Sequence, residues 1–280
     1  METKKVWFVT GASKGIGLAL VKKLIQQGMA VAATTRQLAA LEQAVGQAST
    51  DFLPLEVDLT ADQAVKEAIE KSVAHFGKID VLVNNAGYGQ MGTLEELSDA
   101  EVKENFDVNV FGSLHSIRAV MPYFRAQGFG HIINIASVAG FSGNFPGWGI
   151  YCATKFAVVG FTEALAEEVK GFGVKATVVY PGYFRTAFLT QDSIKTANNP
   201  IAAYETARAS EKTHIQEING QQPNDPDKAA EAMIAISQEE NPPVHLLLGE
   251  DALQLLAAKQ KLLATDVESW KSLSLSTAIG

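Results

Sequence analysis

Short apolar runs alternate with longer stretches of helical period along most of this chain, and that alternation leaves few architectures open. Residues 6–10, 30–35, 52–57, 79–84, 131–136, 174–180 and 244–248 are apolar with no polar alternation, the pattern of strands buried on both faces. Residues 16–27, 38–47, 61–76, 99–127 and 151–171 carry helical periodicity between them. Parallel neighbours have to be joined by crossovers, and right-handed crossovers lay helices over both faces of a sheet. The expectation is a doubly wound α/β domain with a seven-stranded parallel sheet and helices on both faces.

Helix punctuation agrees. Ser98-Asp-Ala-Glu101 has capping-box spacing, and Gly128, Gly171 and Gly173 stand where C-terminal caps belong. With no internal repeat and no low-complexity linker, residues 1–280 are read as one domain. After Pro181-Gly182 comes a stretch of mixed polarity, residues 183–226, beyond the C-terminal edge of a strand. Ligands bind at that edge in this architecture, so the stretch is read as a substrate-side lid. Residues 250–280 are read as a tail, helical through about Ala264 and frayed near Gly280.

Composition excludes several partners. A formal charge of −8 argues against nucleic acid or an anionic membrane surface as partner. The apolar run after Lys4-Lys5 ends at Thr10-Gly11, too soon for a signal peptide, and no run approaches the ~18 apolar residues of a membrane span. One cysteine, Cys152, forms no intramolecular disulfide. A soluble, cytoplasmic protein is expected.

Two motifs carry chemistry. A glycine turn, Thr10-Gly11-Ala-Ser13-Lys14-Gly15-Ile16-Gly17, joins the first strand to the first helix. Such a turn brings backbone close to a pyrophosphate and aims a helix N-terminus at its charge. A glycine trio alone also suits an ordinary turn; its place between strand and helix gives the Rossmann-type reading its weight. The second strand ends Thr34-Thr35-Arg36, with no carboxylate to grip a ribose 2′-hydroxyl. Arg36 and Lys14 are either solvated surface cations or partners of a 2′-phosphate, and NADP is favoured over NAD. Further on, Tyr151 and Lys155 lie four apart on a predicted helix, on one face. An ammonium beside a phenol lowers the phenol's pKa, as suits a proton donor to a developing alkoxide.

These motifs, taken with others in order, resemble the short-chain dehydrogenase/reductase family. The resemblance runs from Val6 to about Thr186 and includes Asp58, Asn84-Asn85-Ala86-Gly87, Asn109, Ser137, Tyr151-x3-Lys155, and Pro181-Gly182 followed by Thr186. It implies that Tyr151 exchanges a proton with the substrate oxygen while the cofactor carries the hydride. Lys155 would hold the nicotinamide ribose and lower the Tyr151 pKa, and Ser137 would hydrogen-bond the substrate oxygen. Asn109 would hold a water linking Lys155 to solvent. Asp58 and Leu59 would meet the adenine, with a helix-capping Asp as the alternative for Asp58. Asn85, Ala86 and Gly87 would border the adenosine ribose, with Asn84 a strand-tying side chain. Thr186 would contact the carboxamide or the pyrophosphate.

The implied activity is NADP(H)-dependent hydride transfer to or from a neutral, hydrophobic ketone, aldehyde or secondary alcohol. The alternative is a non-catalytic NADP(H)-binding sensor, which need not keep the Tyr–Lys pair. Tyr88, Met91, Phe141, Phe145, Trp148, Tyr183, Phe184 and Phe188 are the expected substrate walls. One extra residue separates Ser137 from Tyr151 relative to the family's usual spacing, which leaves Ser142 as a second candidate. His75, His115, His131, His214 and His245 show no metal-ligand spacing and are read as structural, and no metal site is expected. Cys152 is read as a small buried thiol. The long segment 99–127 carries apolar residues on more than one face. One stripe suits the sheet and a second suits a partner helix, so a homodimer is expected, with a homotetramer left open.

Overall fold

Every residue of β1 (Val6–Val9) and β2 (Ala30–Thr35) is buried, as strands without polar alternation require. The computed structural model describes residues 4–279. Its other strands are β3 (Phe52–Glu56), β4 (Val81–Asn84), β5 (Gly89–Met91), β6 (Gly130–Ile135), β7 (Val174–Pro181), β8 (Ile194–Thr196) and β9 (His245–Leu248). Seven of them form one sheet in the order β3-β2-β1-β4-β6-β7-β9, with all neighbours parallel. The expected seven-stranded, doubly wound sheet is what forms. Pro54 lies in β3, and β3 is an edge strand, where a missing N–H leaves no ladder bond unmade.

The helices are α1 (Gly15–Gln26), α2 (Leu38–Val45), α3 (Asp62–Phe76), α4 (Asp99–Phe106), α5 (Gly112–Gln127), α6 (Gly149–Glu168), α7 (Glu205–Lys212), α8 (Pro226–Ile236) and α9 (Glu250–Leu275). Successive strand residues point to opposite faces, so Val9 and Val31 meet Leu20 and Leu24 of α1 and Met233 of α8. Phe8 and Leu82 point the other way, to Ile69 of α3, Val120 and Phe124 of α5 and Leu165 of α6. Each fully buried Leu or Phe among them contributes about 1.5–3 kcal/mol. In the centre, β1 feeds β2 on one side while β4 lies on the other. The crevice at their C-terminal ends is the switch point where ligands bind.

Several boundaries differ from the sequence reading. Segment 99–127 is not one α-helix: a π turn, Asp107–Phe111, separates α4 from α5. Such turns concentrate at functional sites, and this one carries Asn109. The capping box at Ser98 forms, Ser98 Oγ accepting from the Glu101 N–H. At the end of α6 the left-handed position falls to Gly173 (φ 68°) after a short 3-10 turn, and Gly171 is not the cap.

The segment between Pro181 and β9 has more structure than a mixed-polarity loop. It contains β8, paired in parallel with β5, then α7, a second π turn (Thr213–Ile218), and α8. Asp225 caps α8 by accepting from the Asp227 N–H, with Pro226 at its first position, where a missing N–H costs the helix nothing. The tail helix runs to Leu275, past the expected Ala264, because no Gly or Pro interrupts it after Gly249. The expected fraying at Gly280 lies outside the described residues.

Candidate active site

The glycine turn is built by close approach. A Cβ on Gly17 would lie 2.3 Å from Asn85 Nδ2 and 2.6 Å from the Gly11 carbonyl oxygen, so no side chain fits. Gly11 sits at φ +66°, with the Ala86 backbone 2.7 Å from where its Cβ would be. The end of β4 is tied to this turn. Thr10 Oγ1 accepts from the N–H groups of Asn85 and Ala86 at 3.0 and 3.1 Å, and Asn85 Nδ2 donates to the carbonyls of Thr10 and Gly11 at 2.9 Å. No side chain caps the N-terminus of α1. Its free N–H groups and the glycine cradle therefore suit the pyrophosphate of a dinucleotide.

A cleft of about 1120 Å³ runs from this turn along the strand ends. Gly11, Ser13, Lys14, Gly15, Ile16, Thr35, Arg36, Asp58, Leu59, Asn85, Ala86, Gly87, Tyr151, Lys155, Pro181, Gly182 and Thr186 all line it. Gly17 does not; it serves the turn from behind. The polar groups at the β2 end are unevenly engaged. Thr35 Oγ1 accepts from the Gln37 N–H at 3.1 Å, while the exposed Arg36 has no ion-pair partner among the described residues. Lys14 Nζ donates to the Asp192 carbonyl at 2.8 Å, and burial lowers its pKa. Asp58 accepts from the N–H and hydroxyl of Thr60 at 2.9 and 2.8 Å, and these bonds hold its pKa low. It is a turn-forming Asp rather than the cap of α3, whose capping residue is Ala61.

The helix α6 brings Tyr151 and Lys155 to the middle of the cleft, both buried. Lys155 Nζ donates to the Ile135 carbonyl at 2.8 Å and lies 5.8 Å from the centre of the Tyr151 ring. Burial governs both groups. It lowers Lys155 to about 8, and it pushes Tyr151 well above the ordinary phenol value, with a hydrogen bond from Ser137 pulling the other way. In the chain by itself the expected lowering of the Tyr151 pKa is therefore reversed, because burial disfavours the phenolate more than the Ser137 hydrogen bond favours it. Tyr151 stays protonated, a form that can donate to a developing alkoxide.

Ser137, aimed at Tyr151, also accepts from the Ala139 N–H at 3.2 Å at the head of a 3-10 turn, Val138–Gly140. That turn belongs to the loop carrying the extra residue, and Ser137 still lines the cleft. Ser142 is buried and lies outside the lining. Asn109 is also outside it. Its Oδ1 accepts from the Tyr88 N–H and its Nδ2 donates to the Tyr88 carbonyl, both at 3.0 Å. Gly87 separates it from Lys155: a Cβ there would be 3.0 Å from Asn109 Oδ1 and 3.6 Å from Lys155 Nζ.

Of the expected substrate walls, Tyr88, Phe145, Trp148, Tyr183, Phe184 and Phe188 line the cleft. Phe141 does not: its ring packs 5.6 Å from that of Tyr180 in a small core cluster. Met91 is buried among Trp148 and Tyr151 and does not reach the surface of the cleft. Among the lining residues not expected at the site are His214, which the sequence reading takes as structural, and Gln222. His214 bonds the Tyr183 hydroxyl at 3.0 Å. Gln222 is 1% exposed, and its Nε2 has no partner among the described residues. Neither has a sequence signal, since both arrive through the folding of segment 183–226. Asp251, in the first turn of α9, anchors the same loop by accepting from the Tyr183 N–H at 2.6 Å and from Asn224 Nδ2 at 2.8 Å.

A parallel doubly wound sheet, a glycine turn at its switch point and a buried Tyr–Lys pair in one cleft define a dinucleotide-binding oxidoreductase. A family model described as short chain dehydrogenase matches residues 5–197. The chain belongs to the short-chain dehydrogenase/reductase family. It is 36% identical to a 3-ketodihydrosphingosine reductase of Bacteroides thetaiotaomicron, over 92% of each chain. The crystal structure of a Streptomyces avermitilis short-chain dehydrogenase superposes with a TM-score of 0.91 at 33% identity, covering 100% of both chains. A Burkholderia phymatum short-chain dehydrogenase/reductase in complex with NAD gives 0.81 at 26% identity, covering 96% of each. Solved neighbours hold NAD or NADP. Among the described residues no helix is long and apolar enough to cross a membrane.

Proposed function

We propose that the protein interconverts a neutral, hydrophobic ketone or aldehyde and its alcohol using NADP(H). The observation that carries this reading is the buried Tyr151 phenol, which burial keeps protonated, with Ser137 and Lys155 beside it in the cleft that begins at the glycine turn. The nicotinamide, when bound, supplies or accepts the hydride. Tyr151 donates its proton to the carbonyl oxygen in reduction and takes it back in oxidation. Ser137 holds that oxygen, and Lys155 steadies the phenolate that is left. Asn109 acts on this group at one remove, by fixing the Tyr88 backbone and the π turn.

Arg36 and Lys14 favour NADP over NAD, because a guanidinium pairs with a 2′-phosphate where a carboxylate would repel it. The aromatic walls favour an apolar substrate, and the likeness to a 3-ketodihydrosphingosine reductase fits that class. Segment 183–226 acts as the substrate-side lid. A panel of ketones, aldehydes and alcohols followed by NADPH absorbance tests the reading. Turnover of at least one apolar carbonyl is the expected result, and no turnover with either nucleotide across the panel would refute it.

Phe111 and Phe156 stay exposed, while Ile117, Val120 and Phe124 pack inward on the sheet. An unpartnered apolar edge of this kind supports a homodimer through α5 and α6, within a cytoplasmic protein. Light scattering at micromolar concentration should give twice the 30.0 kDa chain mass or more; the mass of a single chain refutes it.

A further inference from the structure

One hydrogen-bonded pair in the substrate end of the cleft has its polarity set by the protein itself. His214, in the π turn Thr213–Ile218, has its Nδ1 2.7 Å from the Ser210 carbonyl oxygen. A carbonyl oxygen only accepts, so Nδ1 carries the proton. Burial lowers the His214 pKa from its ordinary value, which keeps the ring neutral and leaves Nε2 as an acceptor. The Tyr183 hydroxyl, 3.0 Å from that Nε2, must therefore donate to it. With its proton committed, the Tyr183 oxygen has only a lone pair to present to a ligand.

This pair lies close to the reacting centre. The His214 ring is 5.0 Å from that of Trp148, and the Trp148 ring is 5.5 Å from that of Tyr151. Phe145 and Phe188 complete this part of the wall. Among the described residues the one carboxylate that meets Tyr183, Asp251, is taken up by the Tyr183 N–H and Asn224 Nδ2, so the site suits a neutral donor rather than an ammonium. A ketone, ether or other pure acceptor placed against Tyr183 would set lone pair against lone pair.

We infer that Tyr183, held by His214, accepts a hydrogen bond from a substrate hydroxyl beside the reacting carbonyl, so that hydroxyketones are preferred to simple ketones. The inference rests on the oxidoreductase reading for the position of the carbonyl. Tyr183 selects the substrate, and His214 is a positioning residue that fixes which way the Tyr183 proton points.

Three ligands sharing one alkyl chain test this: an α-hydroxyketone, its methyl ether, and the parent ketone. The α-hydroxyl is tertiary, and Kd values are measured by calorimetry on the full-length protein saturated with NADP+, which can neither reduce the ketone nor oxidise that alcohol. The hydroxyketone should bind roughly tenfold more tightly than either of the others. Tyr183→Phe should erase that difference. His214→Phe, which frees the Tyr183 proton to donate, should move the preference towards the methyl ether. Equal affinities for hydroxyketone and parent ketone in the unmodified protein, an ether bound as well as the hydroxyketone, or no hydroxyketone binding overturns the inference. A persistent Kd ratio without any turnover on NADPH would instead refute the reductase reading and leave the Tyr183 assignment standing.

Discussion

Replacing Tyr151 by Phe is expected to lower kcat by about 10²–10⁴-fold, the range over which a positioned general acid contributes. The change removes one hydroxyl and little else. The ring keeps its contacts with Trp148 and Phe188, whose centres lie 5.5 and 5.8 Å away. Lys155 keeps its bond to the Ile135 carbonyl, and the glycine turn is untouched. Ser137 loses its partner on the substrate side but retains the Ala139 N–H. Cofactor affinity, followed by quenching of tryptophan fluorescence, should therefore stay within a few-fold of the unmodified protein. A variant that turns over at near-normal rate would show that the proton comes from elsewhere.

The second large effect concerns the nucleotide. A charge-assisted bond from Arg36 to a 2′-phosphate contributes roughly 1.5–3 kcal/mol, a preference for NADPH over NADH of about 10- to 150-fold in kcat/KM. Arg36 is free to make it, being exposed at the cleft without an ion-pair partner among the described residues. Thr35→Asp combined with Arg36→Ile should reverse the preference. The new carboxylate can still accept from the Gln37 N–H, as Thr35 Oγ1 does at 3.1 Å, while offering an oxygen to a ribose hydroxyl. Lys14 is the weaker partner, because its ammonium is drawn to the Asp192 carbonyl at 2.8 Å. Equal kcat/KM for the two nucleotides in the unmodified enzyme would place the 2′-phosphate away from Arg36.

The Tyr151 phenol illustrates where a reading of residue spacing stops. Four-residue spacing on a helix correctly puts Tyr151 and Lys155 on one buried face. The direction of the phenol's pKa depends on what else surrounds it, and burial dominates there. Asn109 makes a similar case. Its place in a motif was legible, but its two bonds to the Tyr88 backbone and the π turn around it were not. Phe141 and Phe145 come from the same Gly-rich loop, yet one turns into the core against Tyr180 and the other lines the cleft. Composition alone treats them alike.

What the sequence determined by itself was everything written in local periodicity. Apolar runs without alternation specified strands buried on both faces, and the 3.6-residue pattern specified the crossovers between them. Together they left only a doubly wound parallel sheet. The glycine turn was equally local, since Gly11 and Gly17 sit where backbone approaches backbone and a Cβ has no room. The tertiary structure alone decided what depends on residues far apart in the chain. His214 reaches Tyr183, Gln222 reaches the cleft, and Asp251 of the tail holds the loop after Gly182. These contacts follow from how segment 183–226 packs over the sheet edge, and packing is a sum over partners that no single window of sequence contains.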